Sequence, residues 1–178
     1  MALEIERIGT DRAQQPMGML AAAYVMSDHP YSRDEPWVLN PRFQRGSVWT
    51  LKQKRAWIES MIMGIGLPSI FVNRFPAKVC PHPDYGWTEI VIDGQQRLRA
   101  TADFMQNKFK VRGEHFSDQS LVFRRGFTNG AGLCQVVYCA YETEKECAEL
   151  YLKLLRAGTA HTTDEIKKAQ DYIKECDK

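Results

Sequence analysis

Between Thr50 and Gly64 the apolar residues Leu51, Ile58, Met61 and Ile62 return at helical spacing, while Lys52, Lys54 and Arg55 fall largely on other sides. That pattern predicts an amphipathic helix from Leu51 to about Met63, continued in its apolar stripe by Ile65, capped by Thr50 and ended by Gly64 and Gly66. After Pro68 the run SIFVNRF is rich in apolar and β-branched residues and predicts a strand; PAKVCPHPDYG is a proline-rich surface loop, and WTEIVI a second strand. From Gln95 to about Asn107, Leu98, Ala102 and Met105 share one helical face with Phe104 beside them. LVFRRGF predicts a short strand and CQVVYCAYE a further one. The last quarter is helical: Thr143 with Glu146, and Thr162 with Glu165, form capping boxes. The first heads Cys147, Leu150, Tyr151, Leu154 and Leu155 and stops at Ala157-Gly158; the second heads Ile166, Ala169 and Ile173. Upstream, a short helix is read at Met17 to Met26, followed by the polar connector SDHPYSRDEPW. Strands lie early and centrally and helices follow, which predicts an α+β fold with a small sheet. One domain spans 1–178, with 1–37 an N-terminal extension of unassigned structure and 143–176 a helical C-terminal part.

Composition changes this picture little. A length of 178 residues suits one buried core, and 44% hydrophobic with 26% charged residues is ordinary for a globular protein. With 24 basic and 22 acidic side chains the net charge is only +2, so any polyanion contact has to come from local clusters. The five cysteines, Cys80, Cys134, Cys139, Cys147 and Cys176, are odd in number and irregularly spaced, and no signal peptide or membrane-length apolar run is visible. The expectation is a cytoplasmic protein with reduced thiols and no membrane partner. Cys80 and His82 resemble half a zinc site, but no matching pair is evident, since Cys134 and Cys139 fall on one strand at opposite-face spacing.

The chemistry gathers in two stretches. In EIVIDGQQRLRATADF a strand stops at Asp93-Gly94 and a helix begins at Gln95. Asp93 can cap the free amides of the first turn and Gly94 permits the tight bend. The same amides, with the positive end of the helix dipole and the Arg97 guanidinium, make an anion site suited to phosphate. Gln95 and Gln96 can hold a phosphate, a sugar or a base edge. A carboxylate beside phosphate calls for a divalent ion between them, so Asp93 points to Mg²⁺ and the group to a Mg-nucleotide site. Arg99 falls on another side of the helix and is expected to be solvated. Upstream, LNPRFQRGSVWT interleaves Arg42, Gln44 and Arg45 with Phe43 and Trp49. Either the aromatic residues stack on bases while the arginines hold phosphates, or Phe43 and Trp49 anchor the core and the arginines face water. Arg45 is the residue singled out as functional.

Taken in order, PRFQRGSVWT, KRAWIESMIMGIGLPSIFVNRF and VIDGQQRLRATADF resemble the domain of unknown function 262 family, the N-terminal module of GmrSD-type modification-dependent restriction systems in the ParB/sulfiredoxin-like superfamily. YLKLLRAGTAHTTDEIKKA resembles the closing helix-turn-helix of that family, so the likeness runs from about Val38 to Ala169. It implies a ParB-like α+β fold with a nucleotide pocket around Asp93, Gly94, Gln95, Gln96 and Arg97. Gln44 and Arg45 supply the upstream Gln-Arg, and Thr159 and His161 stand in the closing turn. It further implies binding or hydrolysis of nucleoside triphosphates with Mg²⁺, coupled in larger relatives to DNA cleavage by a separate nuclease domain. The chain departs from the pattern at Leu155 and Ala157-Gly158, where Asn and Gly-Gly are usual, and at Arg99-Ala100, where Thr-Thr is frequent.

The leading expectation is thus a Mg-dependent NTPase module in which Asp93, Gln96 and Arg97 act in catalysis and Gln44, Arg45, Gly94, Gln95 and Arg97 bind nucleotide. No nuclease motif follows Ala169, so such a module is expected to act alone or with a separate nuclease or effector protein. Two other classes compete: a non-catalytic DNA-binding module with Arg42, Arg45, Lys52, Lys54 and Arg55 as its phosphate footprint, and an interaction protein acting on a restriction or host factor.

Overall fold

A computed structural model describes residues 9, 11–26, 37–44, 46–79, 89–157 and 163–177. Its centre is a four-stranded mixed sheet of β1 (Asp11–Pro16), β2 (Ile70–Arg74), β3 (Glu89–Asp93) and β4 (Leu133–Cys139), in the order β1-β4-β2-β3. β1 pairs antiparallel with β4, β4 parallel with β2, and β2 antiparallel with β3. Beyond β3, Val38 bridges to Ile90 and prolongs the sheet by one short parallel contact.

Alternation along the strands divides the core into two. Ile70, Val72, Val91, Val136 and Tyr138 face one side, where they meet α1 (Met17–Tyr24), α2 (Leu51–Ile62), α3 (Gln95–Met105) and α4 (Leu121–Asn129). Ile90, Ile92 and Cys139 face the other, under α5 (Glu144–Ala157) and α6 (Thr163–Cys176), with Phe43 and Phe75. The period of two therefore gives a sheet buried on both faces between helical layers.

Side-chain caps open α2, α4 and α5. At α2, Thr50 Oγ1 accepts from the Gln53 amide at 3.3 Å and Gln53 Oε1 accepts from the Thr50 amide at 2.8 Å. The predicted box at α5 also forms, with Glu146 Oε2 accepting from the Thr143 amide at 3.0 Å. Thr162 of the second predicted box lies outside the described residues, as do Cys80 and His82. The buried stripe of α2 is Trp57, Ile58 and Met61; Leu51 and Ile65, expected on it, are exposed. On α3, Leu98, Ala102, Phe104 and Met105 are buried as expected.

Three findings correct or extend the reading. LVFRRGF is not a strand but the start of α4, whose Ser120 hydroxyl accepts from the Phe123 amide and whose Phe127 packs edge-on against Phe104 at 5.5 Å. Residues 11–24, within the segment set apart as an extension, supply the edge strand β1 and the buried helix α1. Arg99 is not simply solvated: it is half-buried, its Nε is enclosed without a hydrogen-bond partner among the described residues, and burial lowers its pKa against the opposing pull of Asp103. No described helix is long and apolar enough to cross a membrane.

Candidate functional site

β3 ends at Asp93 and α3 opens at Gln95, so the backbone must reverse within one residue. Gly94 does this at φ +111°, a left-handed conformation that L side chains resist. A Cβ there would lie 2.9 Å from Ile70 Cγ1, so the close packing of β2 also requires glycine. The first intrahelical bond of this cap runs from the Leu98 amide to the Gly94 carbonyl at 3.0 Å, which leaves the opening turn of α3 directed at the end of β3.

Asp93 does not act as a helix cap here. Its Oδ2 accepts from Arg97 Nη2 at 2.6 Å, while Arg97 Nη1 donates to the Pro68 carbonyl at 2.6 Å. Arg97 is only 8% exposed, so it needs these partners for its charge. Asp93 keeps 38% of its side chain exposed, and its other oxygen takes no hydrogen bond among the described residues. The result is an oriented carboxylate at the rim of the sheet. Gln95 is buried. Gln96 works as a strap: its Nε2 donates to the Gly46 carbonyl at 2.9 Å and its Oε1 accepts from the Val48 amide at 3.1 Å. The segment after Arg45 is thereby tied to the first turn of α3.

Gln44 joins the two sequence clusters. It is 3% exposed, and its Nε2 donates to the carbonyls of Val91 at 3.0 Å and Ile92 at 2.5 Å, immediately before Asp93. Its Oε1 is enclosed and has no hydrogen-bond partner among the described residues. Such an acceptor carries a desolvation cost unless a donor reaches it. Arg45, Thr159 and His161 lie outside the described residues.

The open choice at the upstream aromatics resolves toward the core. Phe43 is fully buried, with Tyr151 at 5.7 Å and Tyr172 at 6.0 Å between ring centroids. Trp49 is half-buried, edge-on to Trp57 at 6.1 Å. Of the cations of the expected DNA footprint, two already have partners within the domain. Lys54 donates to Asp103 at 2.7 Å and Arg55 to the Lys110 carbonyl at 2.9 Å, while Lys52 is exposed on α2. Arg42 instead borders a depression of about 450 Å³ beside α6, with Asp164, Lys167, Lys168 and Asp171.

Sequence reasoning missed Pro68, whose carbonyl holds Arg97, and Lys168, whose ammonium donates to the Gln44 carbonyl. Both contacts are made to a backbone carbonyl, which leaves no mark in residue type. No group of three His, Cys, Asp or Glu able to hold a metal occurs among the described residues. Burial pushes the Cys134 and Cys139 thiols up to about 11 and that of Cys147 higher still, so all three are protonated at neutral pH.

Fold and site together define a mixed α/β domain whose polar residues meet where β3 turns into α3. The chain belongs to the GmrSD restriction endonuclease N-terminal domain family, whose model matches residues 30–177, and is thereby related to restriction and DNA-defence proteins. No curated protein and no solved structure matches it.

Proposed function

We propose that this domain binds a nucleoside triphosphate with Mg²⁺ at the β3-α3 turn and hydrolyses it, on a ParB/sulfiredoxin-like frame, in the service of a nuclease or effector carried elsewhere. The observation that supports this best is the enclosed Gln44 Oε1, without a partner among the described residues, on an amide bonded to the Ile92 carbonyl, next in the chain to the oriented Asp93 carboxylate and the opening turn of α3. Gln44 Oε1 suits a donor such as a base N–H or a ribose hydroxyl. The amides and dipole of α3 suit phosphate oxygens.

A single carboxylate fits Mg²⁺, which keeps most of its waters and shares its remaining positions with substrate phosphates. Asp93 would hold it through the oxygen that Arg97 leaves free, and the ion would neutralise charge on the phosphates. Arg97 fixes the carboxylate, and its remaining N–H groups, with Arg45, are the cationic partners of phosphate. Positioning and charge stabilisation of this kind are the main requirements of phosphoryl transfer. Reduced, buried thiols are in keeping with a cytoplasmic setting.

Phosphate release from ATP, GTP, CTP and UTP with Mg²⁺ tests the proposal. Asp93→Asn keeps the shape that Arg97 grips but removes the charge. It is expected to lower the rate by about 10²-fold or more. Because it also takes the counter-charge from the enclosed Arg97 it is expected to lower stability, so the rate is read under conditions where circular dichroism shows the variant folded. A rate indifferent to this substitution would sink the assignment.

A further inference from the structure

Gln44 sits in a short turn rather than in a helix or strand, and its own backbone bond, from its amide to the Pro41 carbonyl at 2.9 Å, is weak anchorage. Three contacts from the C-terminal helices hold the turn from outside. Lys168 Nζ donates to the Gln44 carbonyl. One turn along α6, Tyr172 packs its ring against Phe43, with Tyr151 of α5 also against that ring. The Tyr172 hydroxyl in turn donates to Glu144 Oε2 at 2.8 Å, a carboxylate on a residue only 6% exposed. Burial and that bond raise the phenol pKa, so it remains a donor. The fully buried Ala169 between Lys168 and Tyr172 brings the helix close.

We propose that α6 is a clamp on the nucleotide site and that Lys168 is its positioning residue, fixing the backbone of residue 44 so that the side chain presents Oε1 at a set place. The clamp rests on the nucleotide reading above. Within the turn, the side chain of Gln44 is gripped by the carbonyls of β3 and its main chain by Lys168, so the acceptor has no freedom to swing. Loss of the second grip leaves the first in place but lets the turn move, and a displacement of about 1 Å at a binding group is costly. A methionine at 168 preserves most of the apolar stem and removes the donors; an arginine preserves a charged donor.

Two measurements on Lys168→Met and Lys168→Arg decide the matter. In ligand-free protein, hydrogen exchange at residues 42–44 is expected to quicken about tenfold in Lys168→Met, the worth of one charge-assisted hydrogen bond, with α3 and β4 unchanged. A fluorescent ATP analogue with Mg²⁺ is expected to bind Lys168→Met about tenfold more weakly on the same grounds. Lys168→Arg should keep both properties near wild type. Unchanged exchange in Lys168→Met overturns the clamp, and quickened exchange with unchanged affinity overturns its link to the site. A wild-type protein that binds no analogue overturns the nucleotide reading instead, a failure told apart because the exchange arm needs no ligand.

Discussion

A methyl group at position 94 would meet Ile70 Cγ1 at 2.9 Å and Cγ2 at 3.2 Å on a backbone already at φ +111°. Two penalties therefore coincide, and only one can relax: Ile70 can shift by a few tenths of an ångström, but φ cannot change without moving Asp93 or α3. Gly94→Ala is expected to cost about 2 kcal/mol or more of stability in urea unfolding. A loss below about 0.5 kcal/mol would mean that the turn is far less constrained than these distances require. The need for glycine here was legible in the sequence, because a strand running into a helix through Asp-Gly has few other solutions. The role of Asp93 was not. Capping is the default for an aspartate before a helix, but it loses to Arg97, which is nearly enclosed and demands a counter-charge one helical turn away. That outcome depends on Pro68 and the packing around it, which no local pattern encodes.

Between elements, α2 and α3 are tied by Asp103, which accepts from Lys54 at 2.7 Å and from Lys108 at 2.9 Å. Burial raises the pKa of this carboxyl, but the two ammonium bonds outweigh it and hold the pKa below the ordinary aspartate value. A depressed pKa in the folded protein contributes stability above the ordinary aspartate range and loses it as pH falls through the folded value. Asp103→Asn is therefore expected to be less stable than wild type at neutral pH, by on the order of 1 kcal/mol, and the gap should close on acidification below that range. Urea unfolding at a series of pH values checks this, and a gap that stays constant would refute it. Elements with strong periodicity were readable: α2, α3, α5 and β2 to β4 all form close to where their apolar spacing put them. α4 was misread because LVFRRGF is too short to distinguish a helix from a strand by period, and two of its apolar residues, Leu121 and Val122, are exposed rather than on a buried face. β1, DRAQQP, carries no alternation and ends in proline. Its pairing is dictated by the open edge of β4, not by its own residues, as suits an edge strand.

For the whole molecule, the family match begins at residue 30, yet the sheet does not. β1 covers β4 from Asp11 opposite Tyr138 to Pro16 opposite Leu133. α1 then places Met17, Leu20, Ala21 and Ala22 entirely within the core shared with α3 and α4. Its fit is close: a Cβ at Gly18 would lie 2.7 Å from the Phe127 carbonyl oxygen. Burying Met17 and Leu20 contributes about 2 to 3 kcal/mol each, and removing them also exposes apolar faces of α3, α4 and β4. Against a total stability on the order of 5 to 15 kcal/mol, that loss is decisive. A chain restricted to residues 30–178 is accordingly expected to lose cooperative urea unfolding and its near-ultraviolet circular dichroism while keeping helical signal, as a collapsed state without fixed packing does. Adding back residues 9–29 should restore both. If the shortened chain unfolds cooperatively with an unchanged denaturant slope, then β1 and α1 are appended to a self-sufficient domain. If it does not, the working unit of this protein is larger than the part that matches its family, because the turn bearing Asp93 and Gly94 leans on Ile70 of β2, and β2 leans on a β4 that β1 and α1 keep dry.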